Sequence, residues 1–420
     1  MIAQAKTGAL PEIRVPAALT FAGLVVGLLV GLLMEGSDWR GALLAIAEPI
    51  GKLWLQALKM TILPLVAGLL FTGIAQTVAT ARAGAMARQT LGLFLAVLAA
   101  SAAIGALVMP LLLKWVPIPA QAMAAFGKAS AVTGPVPDAG DFLAGLIPEN
   151  IFKAASDGAM LPFIVFIALF ALASTRLPER PRVQLAGLFE ALAGTMMVVI
   201  GWILALAPIG VFALALGLAA HSGAAAIGAL AHYVILVAAI GAAVLVGGYV
   251  LGIVGGRKRP MLFTRALLPS QAVAFSTQSS LASLPAMLIS TRLLGLKDTS
   301  GEFVLPLAVA LFRATSPAMN LAVAIYVAKL AGVELEPQAL LAGAGVALLV
   351  SLGTVSLPGT ISFIASIAPI AIAMGVPVEP LALLVAVEVL PDIMRTVGNV
   401  TMDVAVTAVA DRSEGAVKAG

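Results

Sequence analysis

The chain has 420 residues, 61% of them hydrophobic and 10% charged, with a net charge of +4, no cysteine and two histidines. A mean hydropathy of +1.10 is more apolar surface than a soluble core can hide, so the composition describes a polytopic membrane protein. Disulfides, thiol catalysis and cysteine metal sites are excluded, and the basic residues sit in short loops, where positive-inside bias explains them without a nucleic-acid partner.

Lys6 and Arg14 precede an apolar run from Val15 to Leu33, which is too long for a signal-peptide core and reads as the first span. After a turn at 36–40, a very long second segment is expected over about 42–80, with Arg82 and Arg88 at its inner end. A third span over about 89–113 leads to an outer segment rich in Pro, Ala and Gly, from Lys114 to Asp141. Helical character resumes from Phe142 to Ala173, interrupted at Pro148 to Asp157, and Arg176, Glu179, Arg180 and Arg182 form a charged inner loop. Two more spans are expected, Leu185 to Leu218 and Ala224 to Val254; the second ends in the basic stretch 255–259. Counted from an inside N-terminus, these basic loops all fall on the cytoplasmic side. His232 reads as a packed or interfacial histidine rather than a proton carrier.

Beyond Arg259 the apolar segments become short and broken. Residues 271–287 and 347–360 each carry Ser-Leu-Pro (283–285 and 356–358) after a run of small hydroxyl residues. Paired Pro/Gly-broken segments of this kind point to two re-entrant hairpins of an inverted-repeat transporter. Between them, a helix from Phe303 to Leu330 is interrupted at 313–317, where Pro317 removes a backbone donor. The last helix is expected to run to Ala410, before a polar, mobile tail. At 100° per residue it gathers Glu388, Asp392, Arg395, Thr396, Asn399 and Asp403 on one stripe. Ionisable groups at membrane depth are candidate functional residues.

The order hairpin, broken helix, hairpin, polar-striped helix resembles the glutamate transporter homologue family, the dicarboxylate/amino acid:cation symporters. The stretches that carry the resemblance are 147–152 (IPENIF), 206–214 (LAPIGVFAL), SLGTVSLPG in the second hairpin, and DIMRT-x-x-NVT-x-D from Asp392 to Asp403. The resemblance implies an all-α membrane protein of eight transmembrane helices plus two re-entrant hairpins, assembled as a homotrimer and working by an elevator movement. It divides the chain into scaffold helices one and two (1–85), a third helix moving with the transport domain and an outer loop (86–141), and scaffold helices four and five (142–222). The transport-domain core (223–410) and a polar tail (411–420) complete it. It also implies a multi-pass protein of the inner cell membrane with both termini in the cytoplasm. By the same resemblance, Asp392 matches the residue that holds a substrate amino group, and Arg395 the one that forks onto a side-chain carboxylate. Thr396 and Asn399 match further substrate contacts, with Asn399 on the α-carboxylate. Backbone amides around Ser279, Ser280, Val355 and Gly359 at the hairpin tips are placed to receive the other carboxylate.

Where the family carries Asn-Met-Asp-Gly-Thr in its broken helix, this chain has Phe312, Arg313, Ala314, Thr315 and Ser316. The sodium carboxylate has become Ala314. Asp403 and Asn399 persist as residual sodium ligands, with Phe312 where a partner is expected. Gln278 stands where some members place an arginine near the helix-eight aspartate, and Ile393 where others place it. Arg313 is therefore read as a built-in cation that neutralises Glu388, Asp392 or Asp403, and proton coupling or exchange is favoured over sodium coupling. No cofactor is expected. The solute is a small carboxylate: an acidic amino acid first, a C4-dicarboxylate second, with an anion channel or solute sensor as the reading from another class. Protease and nucleotide-binding motifs are missing from the sequence, which argues against an enzyme.

Overall fold

A chain this apolar must satisfy its own backbone polar groups in lipid, which leaves the helix as its local structure. The computed structural model describes residues 17–34, 37–81, 85–119, 123, 147–157, 159–222, 225–353 and 359–417, and among these the regular structure is helical. The elements are α1 (Ala17–Leu33), α2 (Arg40–Ala81), α3 (Ala85–Trp115), α4 (Ile151–Ser156), α5 (Met160–Ser174), α6 (Glu179–Ala205), α7 (Ala207–Ser222) and α8 (Ala225–Val250), with a π turn at Leu251–Gly255. There follow α9 (Pro260–Thr277), α10 (Ser280–Leu293), α11 (Asp298–Leu311), α12 (Ser316–Leu330), α13 (Pro337–Gly353), α14 (Gly359–Ala373), the short α15 (Leu381–Leu384) and α16 (Val389–Val417).

Among the described residues, five stretches are long and apolar enough to cross a membrane: α2, most of α3, α6, nearly all of α8 with its π turn, and α11–α12 taken together. With the shorter apolar helices around them, they make a multi-pass membrane protein.

Three expectations change. The single span over Leu185 to Leu218 is two helices, α6 and α7, joined at Leu206 (φ −89°, ψ 0°). Pro208, in the first turn of α7, has no N–H to continue the α6 ladder. The interruption at Pro148 to Asp157 contains the helical turn α4, capped by Asn150, whose Oδ1 accepts from the N–H groups of Phe152 and Lys153. At the other end, α16 continues through Val417 instead of fraying at Ala410. Asp411 accepts from Lys297 N and Ser300 Oγ, and Arg412 Nη1 donates to Gly255 O, so this last stretch is tied to α11 and to the π turn. The outer segment falls largely on residues outside those described.

Packing places the helices around α2. α2 meets α5, α6 and α7, and it also meets α13, α14 and α3. α1 lies along α7 through Gly23, Gly27 and Gly31, whose positions face the carbonyl oxygens of Pro208, Phe212 and Leu216 too closely for any β-carbon. A second group surrounds α12, in which every residue but Lys329 is buried. α3, α8, α13 and α14 pack on α12, while α9, α10 and α11 pack with one another or on α16. α9–α10 and α13–α14 form two helical pairs; the α13–α14 pair contacts α2.

Candidate functional site

The site lies where two interrupted helices meet α16. α11 stops at Leu311, Phe312 is extended (φ −123°, ψ 112°), and α12 restarts at Ser316 with Pro317 in its first turn. Proline suits that position because the first helical N–H groups have no intrahelical partner. One of the remaining N–H groups, Ala318 N, donates to Ser101 Oγ of α3 at 3.2 Å.

The predicted stripe is real and fully enclosed. Glu388, Asp392, Arg395, Thr396, Asn399 and Asp403 are all buried, none more than 8% exposed. Glu388 sits just ahead of α16, and its carbonyl accepts the Asp392 N–H at 2.9 Å. Arg395 is the hub. Its Nη2 donates to Glu388 Oε1 at 2.8 Å, its Nη1 donates to Asn320 Oδ1 at 2.8 Å, and its Nε lies 3.4 Å from Asp392 Oδ1. Tyr233 of α8 donates its hydroxyl to the other Glu388 oxygen, Oε2, at 3.0 Å. A planar guanidinium meets this arrangement well because it presents donors in a fixed fork.

One turn along α16, Asn399 Oδ1 accepts from both Thr315 N and Thr315 Oγ1 at 2.9 Å. Thr315 Oγ1 also lies 3.1 Å from Arg395 O. The break between α11 and α12 is thereby stitched to the centre of the stripe. Gly398 allows this approach: its missing β-carbon would come 2.6 Å from Thr315 Cγ2. Thr396 donates its hydroxyl to its own helix, at Asp392 O.

Phe312 stacks on Phe94 of α3, with ring centroids 4.3 Å apart and planes at 11°, and Ala314 is wholly buried. Asp403 Oδ1 is buried with no hydrogen-bond partner. Among the described residues, no group of three or more His, Cys, Asp or Glu side chains could hold a metal ion. Asn399 Oδ1 already accepts two hydrogen bonds, and the Phe312 ring, where a further ligand was expected, stacks on Phe94.

Arg313 is half-buried at the break, within electrostatic reach of Asp392 and Asp403 and of the like-charged Arg395. Of the three acids it was expected to neutralise, Glu388 is not its partner. That carboxylate belongs to Arg395.

The tip of the first helical pair is formed by Gln278, left-handed at φ +50°, and by Ser279, whose hydroxyl caps α10 by accepting from Ala282 N. Ser280 opens α10 and Ser316 opens α12, each placing a helix N-terminus at its break. Val355 lies outside the described residues, and Gly359 begins α14. His232 is packed, with ring nitrogens against Tyr326 Oη at 3.1 Å and Val116 O at 3.0 Å. Sequence reasoning missed Asn320 and Tyr233. Tyr233 follows His232 on α8 and Asn320 shares α12 with Ser316, Tyr326 and Lys329, so neither stood out by its spacing.

A buried set of carboxylates around one guanidinium, framed by broken helices inside an apolar bundle, defines a membrane transporter of small charged solutes. A sequence profile of the sodium:dicarboxylate symporter family matches residues 17–413, and the chain belongs to that family. It is 27% identical over 389 residues to the proton/glutamate-aspartate symporter of Escherichia coli K12, covering 90% of this chain and 88% of that protein. It is 26% identical to the proton/sodium-glutamate symport protein of Bacillus caldotenax, with 90% of each chain covered. A C4-dicarboxylate transport protein of Laribacter hongkongensis is 26% identical, with 94% of this chain and 88% of that protein covered.

Proposed function

We propose that this protein is a secondary active transporter that carries an acidic amino acid, aspartate or glutamate, across the inner cell membrane without conventional sodium coupling. The observation that carries this reading is Arg395: a buried guanidinium, held by Glu388, Asp392 and Asn320, at the junction of three helices. A guanidinium that already pairs with carboxylates at this point suits a carboxylate-bearing solute. Asp392 beside it offers a counter-charge for an ammonium group. Similar relatives, one named a proton/glutamate-aspartate symporter and another a proton/sodium-glutamate symport protein, support an acidic amino acid as the solute.

Arg313 takes the place of the sodium charge. Ala314 has no side-chain oxygen to ligate an ion, and Phe312 is engaged by Phe94. A guanidinium near Asp392 and Asp403 supplies that charge permanently. Proton symport or exchange then drives the cycle. Movement is by an elevator: the unit built on α3, α8–α14 and α16, with α9–α10 and α13–α14 as re-entrant hairpins, slides against a trimeric scaffold of α1, α2 and α4–α7. Eight spans, two hairpins and cytoplasmic termini complete this reading. The contact of α13–α14 with α2, together with the exposed Phe275 and Leu281 of α9–α10, fits one end of such a slide.

The C4-dicarboxylate reading is the second, and one observation favours it. Asp392 lies within reach of Arg313 as well as Arg395, so it keeps a cation when a solute without an ammonium occupies the site. Uptake of labelled L-aspartate and succinate into liposomes holding the purified protein separates these readings, under a sodium gradient, a proton gradient, or neither with internal solute. Proton-driven or exchange-only aspartate uptake is expected. Sodium-driven uptake would refute the role of Arg313, as would unchanged ion dependence in Arg313→Met. Succinate uptake alone would move the substrate class, and a current without solute would mean a channel.

A further inference from the structure

Arg395 already pairs with two carboxylates, Glu388 on Nη2 at 2.8 Å and Asp392 at 3.4 Å from Nε, so a solute carboxylate would put a third anion on one guanidinium. One of the two must yield. Their surroundings decide which. Asp392 has two cations within electrostatic reach, Arg395 and Arg313. Glu388 has only Arg395. Its other neighbours carry no positive charge: the Tyr233 hydroxyl on α8 at 3.0 Å and the Asp392 carboxylate on α16. On α12, Tyr326 packs edge-on against Tyr233 with centroids 5.3 Å apart, and the carboxamide of Asn320 faces Arg395. Once Arg395 turns to a solute, Glu388 becomes a buried carboxylate with no cation, 2% exposed, and it survives there only by taking a proton.

We infer that Glu388 is an internal stand-in for the solute carboxylate, and that the solute displaces it from Arg395 as Glu388 takes up the coupling proton. The exchange balances. Before it, Glu388 as the anion pairs with the Arg395 cation; after it, the solute anion pairs with Arg395 and Glu388 is a neutral acid. One proton enters for each solute bound. The neutral acid keeps a partner, because the Tyr233 oxygen can accept where its hydroxyl had donated. This inference rests on the reading of Arg395 as the carboxylate receptor and names the residue that couples it to protons.

The test is binding of L-aspartate to the full-length protein in detergent micelles, by isothermal titration calorimetry between pH 5.5 and 8.5, with a pH-indicator dye following proton uptake in weak buffer. Wild type should bind about 10-fold more weakly for each pH unit gained in the alkaline range and should take up close to one proton per aspartate. Glu388→Gln should bind with a flat pH profile and take up none. Tyr233→Phe, which removes the hydroxyl that steadies the ionised acid, should bind with the wild-type slope displaced to higher pH. A Glu388→Gln protein that keeps the proton uptake and the slope overturns the inference, and so does a Tyr233→Phe profile that does not move. If Glu388→Gln does not fold, the Tyr233→Phe arm decides. Wild type that binds neither aspartate nor succinate at any pH overturns the carboxylate reading itself, and the inference with it. Binding that is proton-independent from the outset leaves that reading standing and removes only Glu388.

Discussion

Arg395 holds two hydrogen bonds and an ion pair to residues on two helices and on the turn before α16, and Asn320 is the least replaceable of the three acceptors. It is neutral, so it orients the guanidinium without competing for protons. Asn320→Leu should leave Nη1 without an acceptor in a buried site, at a cost of about 1.5–3 kcal/mol. A fall in thermal melting temperature, together with at least 10-fold weaker aspartate binding, would check this. Thr315→Val should be milder. It removes the hydroxyl bonds to Asn399 and Arg395 O but keeps the backbone bond, for about 1 kcal/mol or roughly 5-fold in affinity. The stripe itself was legible in the sequence because six polar residues at helical spacing stand out in a run of valine, leucine and methionine. The partners across from it were not. No periodicity reveals which residue of another helix will face a guanidinium.

The helices also answer to the sequence unevenly. α11 and α12 break where Pro317 lies, and the Ser-Leu-Pro pairs mark the two helical pairs, because these residues act within one turn of themselves. The α6–α7 break was hidden: Pro208 is tolerated in a first turn, and both flanks are apolar. The extension of α16 past Ala410 was hidden too, since bonds from Asp411 and Arg412 to distant segments anchor it. On α1, a leucine at Gly27 would drive a β-carbon to within 2.5 Å of Phe212 O and prise α1 from α7. Gly27→Leu should lower stability by about 1–3 kcal/mol, read as a lower melting temperature, whereas substitution at the open Gly41 should leave it unchanged. The pair between Lys59 of α2 and Glu379, in the link from α14 to α15, gives a pH signature. Burial, the largest single influence, opposes the charge of Glu379, but the Lys59 hydrogen bond and charge together with two backbone hydrogen bonds outweigh it and hold the carboxyl below its usual range. A lowered folded value stabilises above the ordinary carboxylate range and is lost as pH falls through the lowered one. Lys59→Met should thus lower the melting temperature slightly at pH 7, by at most about 1 kcal/mol, and the difference should vanish near pH 3.

At the scale of the whole molecule, the class and the family order were readable because membrane burial forces helices and polar breaks are rare. What the sequence could not display is which charges travel together. In the proposed elevator cycle Arg313, being covalently fixed, would move with the site in both directions and contribute nothing to net charge transfer per cycle. A sodium ion in its place would leave at the far side. The cycle therefore has an electrical fingerprint. Aspartate with one proton carries no net charge, so its accumulation should be insensitive to membrane voltage. Succinate with one proton carries one negative charge inward, and an inside-negative potential should oppose it by about 2.3 kcal/mol per 100 mV. Liposomes clamped with valinomycin and potassium gradients would separate the two. Aspartate uptake that rises steeply with inside-negative voltage would mean that a mobile cation is still carried, and that the arginine built into the broken helix has not replaced it.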